Sequence, residues 1–290
     1  MRRVVLGLAT MALAILLASG VAQAIINGEP DRGPNAHPYV GALVTVSDSG
    51  EFKGQRTPVC SGTLISPRVF LTAGHCTGFL IKEKLPTYVS FDPTYKPRAS
   101  RVIKATPYTH PKSCFPFPPI DDPSCTPPGR PEIVGSLRRD VCYDVGVVVL
   151  EEPVRMATYG DLPEAGLVDT LKEGQRLTTV GYGVSGFVID REPPLPPEPV
   201  YQDDRYRAAV RLLNTNDPLG EMFVKTTGVS LIKGKGGSSC YGDSGGPLFV
   251  GDQQTIVGVT SVGTAPLCRG PGYYQRVDLG RVLTWVRSFP

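Results

Sequence analysis

Cys240-Tyr241-Gly242-Asp243-Ser244-Gly245-Gly246-Pro247 is the stretch on which the reading of this 290-residue chain turns. A serine set among glycines has a backbone free to bend sharply and to aim N–H groups at a nearby negative charge. Its hydroxyl is a poor nucleophile at neutral pH and needs a base of pKa near 7, for which imidazole is the natural group. The chain has three histidines. His75 follows an apolar run in Leu71-Thr72-Ala73-Gly74-His75-Cys76, and Asp144 stands directly before the apolar run Val145 to Leu150. A carboxylate at the start of an apolar strand is costly to bury unless it is paired. Placed on one imidazole nitrogen, it fixes the tautomer that leaves the other nitrogen as a proton acceptor. His75, Asp144 and Ser244 are therefore the candidate catalytic residues. His37 and His110, each followed by proline, read as structural or solvated, because such a site needs a single base.

Outward from these segments the pattern is all-β. Short β-branched runs recur at Val40 to Val46, Arg101 to Ala105, Val145 to Leu150 and Thr255 to Val262, and 33 glycines and 29 prolines supply the turns between them. That rhythm predicts a sandwich or barrel, as one large β domain or two smaller ones. Near the C-terminus, Val277, Leu279, Val282, Leu283 and Val286, joined by Trp285, are spaced for a short closing helix over 277–288. Residues 111–131 hold eight prolines and residues 189–199 hold five. Proline cannot donate to a ladder, so both stretches are expected to be surface loops. No internal repeat at a solenoid period is visible.

The first 24 residues read as an export signal and not as part of a fold. Arg2 and Arg3 lead, Val4 to Leu17 is apolar but short for a bilayer span, and Ala22-Gln23-Ala24 offers the small residues of a cleavage site. A membrane anchor is the alternative use of such a segment. Removing 1–24 takes away two arginines and lowers the formal charge from +3 to +1. This leaves no clustered basic face for nucleic acid. An exported chain with seven cysteines is expected to form disulfides, and the odd count leaves one over. Zinc is disfavoured, since neither Cys-x-x-Cys nor His-x-x-x-His spacing occurs.

Four segments together make the chain resemble the chymotrypsin/trypsin family of serine proteases: Ile25-Ile26-Asn27-Gly28; Cys60-Ser61-Gly62-Thr63-Leu64-Ile65-Ser66 with the Leu-Thr-Ala-Gly-His-Cys run; Asp144 with its strand; and Gly-Asp-Ser-Gly-Gly-Pro with Ser261-Val262-Gly263. They fall in the family's order of His, Asp, Ser. The resemblance implies two antiparallel β-barrels of the chymotrypsin type with a short C-terminal helix. Residues 25–162 would form the first half and 163–290 the second, after the signal at 1–24. It implies an endopeptidase working through an acyl-enzyme, with His75 as acid and base, Asp144 orienting it, and Ser244 attacking. The N–H groups of Gly242 and Ser244 would form the oxyanion hole. Bridges Cys60–Cys76 and Cys240–Cys268 match the family's; Cys114, Cys125 and Cys142 are left with three pairings open.

The same resemblance carries expectations about activation and substrate. Cleavage after Ala24 would free the amino group of Ile25, which in this family pairs with the aspartate before the nucleophile, here Asp243. Ser238 and Ser239 would form the floor of the substrate pocket, with Ser261, Gly263 and Gly272 along its walls. A serine floor cannot compensate a buried cation, so apolar or aromatic P1 residues are expected. Val262 stands where the family usually has tryptophan, and Arg269 is close enough in sequence to reach the pocket rim. The two proline-rich stretches would border the cleft. No metal or cofactor is called for, and the expected protein is a secreted monomer acting on protein or peptide substrates, off the membrane once the signal is gone. A catalytically silent homologue acting as a binding protein is the rival reading. An α/β-hydrolase is excluded, because no histidine follows Ser244.

Overall fold

The computed structural model describes residues 25–34, 36–47, 53–113, 143–188, 196–201, 203–213, 221–229, 236–265 and 267–290. In chain order, β1 is Glu29–Pro30, β2 Val40–Val46, β3 Arg56–Leu64, β4 Val69–Thr72, α1 Gly74–Lys82, β5 Thr87–Ser90, β6 Ile103–Thr109 and β7 Gly146–Leu150. The second half holds β8 Arg176–Gly181, β9 Val184–Val188, β10 Glu198–Tyr201, β11 Tyr206–Arg211, β12 Phe223–Thr226, β13 Pro247–Val250, β14 Ile256–Gly263, β15 Gly272–Arg276 and α2 Gly280–Val286.

Six antiparallel strands close the first barrel in the order β2-β3-β4-β7-β6-β5. The seam is β5 against β2, with Ala42 opposite Ser90 and Leu43 opposite Val89. Strand β6 alternates buried and exposed residues in its first half, as one solvated face requires. Its Pro107 pairs only with β7, because β5 ends its pairing at Ala105. The missing N–H is thus tolerated at a locally free edge. The second sheet runs β1-β11-β8-β13-β14-β15-β12. A bridge from Leu212, just past β11, to Thr226 of β12 brings its ends together. Leu177, Val210, Leu248, Val257 and Tyr274 fill the space inside. A larger core runs from Leu43, Phe70 and Val147 of the first barrel through Phe249, Ile256 and Val259 of the second, so the two halves share one buried interior.

The chain ends cross between the halves. Strand β1, near the start, pairs with β11 of the second sheet, and Ile26 bridges Ser238. Helix α2, near the end, joins the larger core through Val282, Leu283 and Val286. Trp285 packs edge-on against His110, and Phe289 lies tilted against Tyr108, both of the first barrel. Residues 25–30 therefore serve the second sheet although they precede the first barrel in sequence.

Three local expectations need correction. Helix α1 carries His75 near its start and was not legible as a helix, since Thr72 to Thr77 lacks an apolar 3.6 period. The closing helix begins at Gly280 and not Val277, because the Val277 N–H is held by Val257 O at 3.1 Å and Arg276 is tied to Asp278 at 2.8 Å. The stretch 189–199 is not wholly a loop: Glu198 and Pro199 lie in β10, opposite Val188 and Phe187 of β9. A two-stranded ribbon has a free edge on each strand, which is where proline fits. Residues 1–24, most of 111–131, and Cys114, Cys125 and Cys142 lie outside the described residues. Among the described residues no helix is long and apolar enough to cross a membrane.

Candidate active site

Asp144 sits just ahead of β7 with 1% of its surface exposed. A carboxylate so placed must find donors, and three reach it. The His75 N–H donates to Oδ1 at 2.7 Å, His75 Nδ1 lies 2.8 Å from Oδ2, and Ser261 Oγ–H donates to Oδ2 at 2.5 Å. Helix α1 has no side-chain cap at Ala73, so Asp144 also takes up one of the N–H groups that a helix start leaves unpaired. From the second barrel, the fully buried Gln275 accepts the Asp144 N–H at 2.9 Å and anchors its own amide on Met222 O at 3.0 Å. Burial alone would raise the Asp144 pKa. The His75 charge and the hydrogen bonds from His75 and Ser261 outweigh it and hold the carboxyl below its ordinary value. An ionised carboxylate only accepts, so the His75 proton is on Nδ1 and Nε2 keeps its lone pair. Burial works against the imidazolium, but the adjacent Asp144 charge and its hydrogen bond prevail, and the His75 pKa lies above 6.5.

Ser244 is brought alongside this pair by the first barrel. The Cys60–Cys76 bridge ties β3 to α1, and the loop of 16 residues it closes implies about 3 kcal/mol of stabilisation. The Ser61 N–H donates to Ser244 O at 2.8 Å, and Cys76 Sγ lies 3.8 Å from the same oxygen. His75 lies within 4.8 Å of both sulfurs. Because these are joined in a disulfide, the cluster offers no thiolate to a metal. Among the described residues no hydrogen bond joins Ser244 to His75. Such bonds are often loose before substrate arrives.

The turn before Ser244 explains its glycine. Asp243 N–H donates to Cys240 O at 3.0 Å, and Gly242, third in the turn, has φ +92°, as a type II turn demands. A Cβ at this position would also lie 2.9 Å from Gly183 Cα. The Tyr241 carbonyl accepts the Val184 N–H at 2.7 Å. In a planar trans peptide N–H opposes C=O, so the Gly242 N–H is turned away from β9. Likewise Asp243 O accepts the Gly246 N–H at 2.8 Å, which sets the direction of the Ser244 N–H. Neither N–H has an acceptor among the described residues, so both are available to an anion.

Asp243 itself is fully buried, its carboxylate taking the Gly183 and Cys240 N–H groups at 2.8 Å each. Burial pushes its pKa up to about 7 against those two bonds. Ile25 is also fully buried, packed on Tyr206 and Ala208. In this uncut chain its nitrogen is a peptide nitrogen, and no contact joins it to Asp243 among the described residues.

A cavity of about 150 Å³ opens beside Ser244. Ser239, Ser261, Val262, Gly263 and Ala265 line it, the Cys240–Cys268 bridge frames it, and among the described residues no charged side chain does. Of the residues expected here, Ser239, Ser261 and Gly263 are on the lining. Ser238 and Gly272 are not: Ser238 is buried in its bridge with Ile26, its hydroxyl 3.4 Å from Gly270 O, and Gly272 backs on Ser239. Ser239 follows that bridge and is on the lining, its Oγ accepting the Tyr274 hydroxyl at 3.2 Å. Arg269 does not reach this rim. It lines a separate groove of about 730 Å³ with Arg176 and Arg211.

The other histidines have structural surroundings. His37 is bonded to Asp31 at 2.8 Å and stacked on Phe249. His110 accepts the Lys112 N–H at 3.1 Å and lies between Tyr143 and Trp285. Burial, helped by the Lys112 charge, pushes its pKa down to about 4. The residue missed from sequence is Gln275, which stands in no motif.

Two β-barrels with this constellation in their seam define the class of two-barrel serine protease domains. The family model described as Trypsin matches residues 132–286, and the chain belongs to the trypsin family. It is 27% identical to phenoloxidase-activating factor 1 of Holotrichia diomphalia, over 92% of this chain and 70% of that one. It is 28% identical to a trypsin of Saccharopolyspora erythraea (87% and 93%) and 26% identical to glucanase inhibitor protein 3 of Phytophthora infestans (95% and 97%). Among solved structures, HL collagenase superposes with a TM-score of 0.59 at 18% identity, over 91% of this chain and 97% of that one; at that identity the likeness concerns the fold.

Proposed function

We propose that this chain is a secreted serine endopeptidase that cleaves after apolar or aromatic residues. Its carrying observation is the pair of buried Asp144 and partly exposed His75 beside a turn whose two N–H groups have no acceptor among the described residues. Ser244 Oγ adds to the peptide carbonyl while His75 Nε2 takes its proton. Gly242 and Ser244 N–H receive the oxyanion. Collapse passes the proton from His75 to the leaving amine and leaves an acyl-Ser244, which water, deprotonated by His75, hydrolyses. Asp144 stabilises the imidazolium at each stage. The active form begins at Ile25, freed by signal removal, with its amino group paired to Asp243.

A second reading, a binding protein without catalysis, draws on the relative named as an inhibitor. A fluorophosphonate probe separates the two. The endopeptidase labels at Ser244 and loses the label in Ser244→Ala; native protein that stays unlabelled contradicts the proposal. Substrate preference follows from the cavity. A void of about 150 Å³ suffices for benzene in an engineered apolar cavity, and among the described residues this one offers no counter-charge. In a peptide library, cleavage after Phe, Tyr or Leu is expected to exceed cleavage after Arg or Lys by at least about tenfold. Dominant cleavage after Arg overturns the preference.

A further inference from the structure

Ser61 lies in β3 with none of its surface exposed, yet every polar group it owns is engaged at the nucleophile turn or its support. Its N–H donates to Ser244 O at 2.8 Å and its hydroxyl donates to Gly242 O at 2.9 Å. The same hydroxyl accepts the Tyr182 N–H at 3.0 Å, and the Ser61 carbonyl accepts Thr72 Oγ1–H at 2.7 Å. The two N–H groups offered to an oxyanion belong to the Tyr241–Gly242 and Asp243–Ser244 peptides. The peptide between them, Gly242–Asp243, sets their relative aim, and it is the oxygen of that peptide which Ser61 holds. Its nitrogen is held by Cys240 O. The bridge needs one group that accepts from Tyr182 and donates to Gly242, a combination that a hydroxyl has and a methyl lacks.

We propose that Ser61 is a positioning residue for the oxyanion site, fixing through its hydroxyl the peptide that links the two donors. This rests on the endopeptidase reading. Without the hydroxyl, a buried N–H and a carbonyl both lose a partner. The linking peptide then rotates, and the Gly242 and Ser244 N–H groups no longer converge on one oxygen. Ser61 touches no reacting atom, so its loss should appear where negative charge develops and not in substrate binding.

The test uses the secreted, processed protein with a peptide anilide and a peptide aldehyde that forms a tetrahedral adduct on serine. Wild type must hydrolyse the anilide and label with fluorophosphonate; failure of both overturns the endopeptidase reading and this inference with it. With an active wild type, Ser61→Ala is expected to lower kcat about tenfold to a hundredfold, with KM within about threefold. Aldehyde affinity should fall by the same factor as kcat/KM. Unchanged kcat and aldehyde affinity overturn the role of Ser61 and leave the endopeptidase intact. So does a KM raised by the same factor by which aldehyde affinity falls, with kcat unchanged, which marks general loosening. Should the alanine chain not fold, Ser61→Cys keeps the volume with a weak donor and carries the same expectation and the same refutation.

Discussion

Asp144→Asn is expected to lower kcat by about four orders of magnitude, the loss this triad template shows when the carboxylate becomes an amide. The cause is visible in the donor count. Asp144 accepts from His75 N–H, His75 Nδ1–H and Ser261 Oγ–H. An asparagine oxygen can keep the backbone N–H of His75, but its NH2 then faces His75 Nδ1. The imidazole must answer with a lone pair, which moves its proton to Nε2, the nitrogen that Ser244 needs as an acceptor. The pH profile should move as well. The carboxylate holds the His75 pKa above 6.5, so activity in the wild type is lost as pH falls through a midpoint above that value. In the variant the residual activity should persist to lower pH. Rates of the two proteins from pH 5 to 9 decide it: activity within about tenfold of wild type, or an unmoved acid limb, refutes the assignment.

The second large effect concerns Asp243 and the freeing of Ile25. In the uncut chain the Asp243 carboxyl has two backbone donors and no cation facing it among the described residues, and its pKa is about 7. Unfolded, it would titrate near 3.8. Between these values the folded chain binds the extra proton. This contribution to stability is therefore complete below pH 3.8 and lost as pH rises to about 7, in all about 4 kcal/mol. An α-amino group paired with Asp243 reverses the sign: it favours the carboxylate and persists until the amine itself titrates near pH 8. Chemical denaturation from pH 4 to 8 should thus show the uncut chain losing stability with rising pH and the chain beginning at Ile25 losing little or none. Asp243→Asn should flatten the slope of the uncut chain and abolish the activity of the processed one. Parallel pH profiles for cut and uncut protein, or a fully active asparagine variant, refute the pairing.

His75, Asp144 and Ser244 were legible in the sequence because their chemistry conflicts with their surroundings: a base and an acid abutting apolar strands, and a serine in a run of glycines. The barrel strands were legible from β-branched runs between turn residues, with Val40–Val46 recovered to the residue. What escaped depends on register. Of the two serines expected on the pocket floor, Ser239 lines the cavity while Ser238 is held in a bridge with Ile26, some two hundred positions away in the chain. Gln275 is a glutamine in a strand until β15 is set against β12 and its amide reaches Met222 and Asp144. Ser61 was part of a recognised motif, but its grip on Gly242 exists only once the first barrel meets the second. Helix α1 escaped for another reason: its start is stabilised by Asp144, a cap from far along the chain, and not by a residue of its own.

The crossing of the chain ends has a consequence for how the fold withstands a cut in its backbone. Strand β1 fastens the beginning of the chain to the second barrel, and α2 with Phe289 fastens its end to the first. A single nick in the connection between the barrels therefore cannot let the two pieces drift apart, because each piece still grips the other's body. Loss of residues 25–30 or of α2 is the more damaging injury: it unclasps the halves, and the seam that holds His75 against Ser244 goes with it.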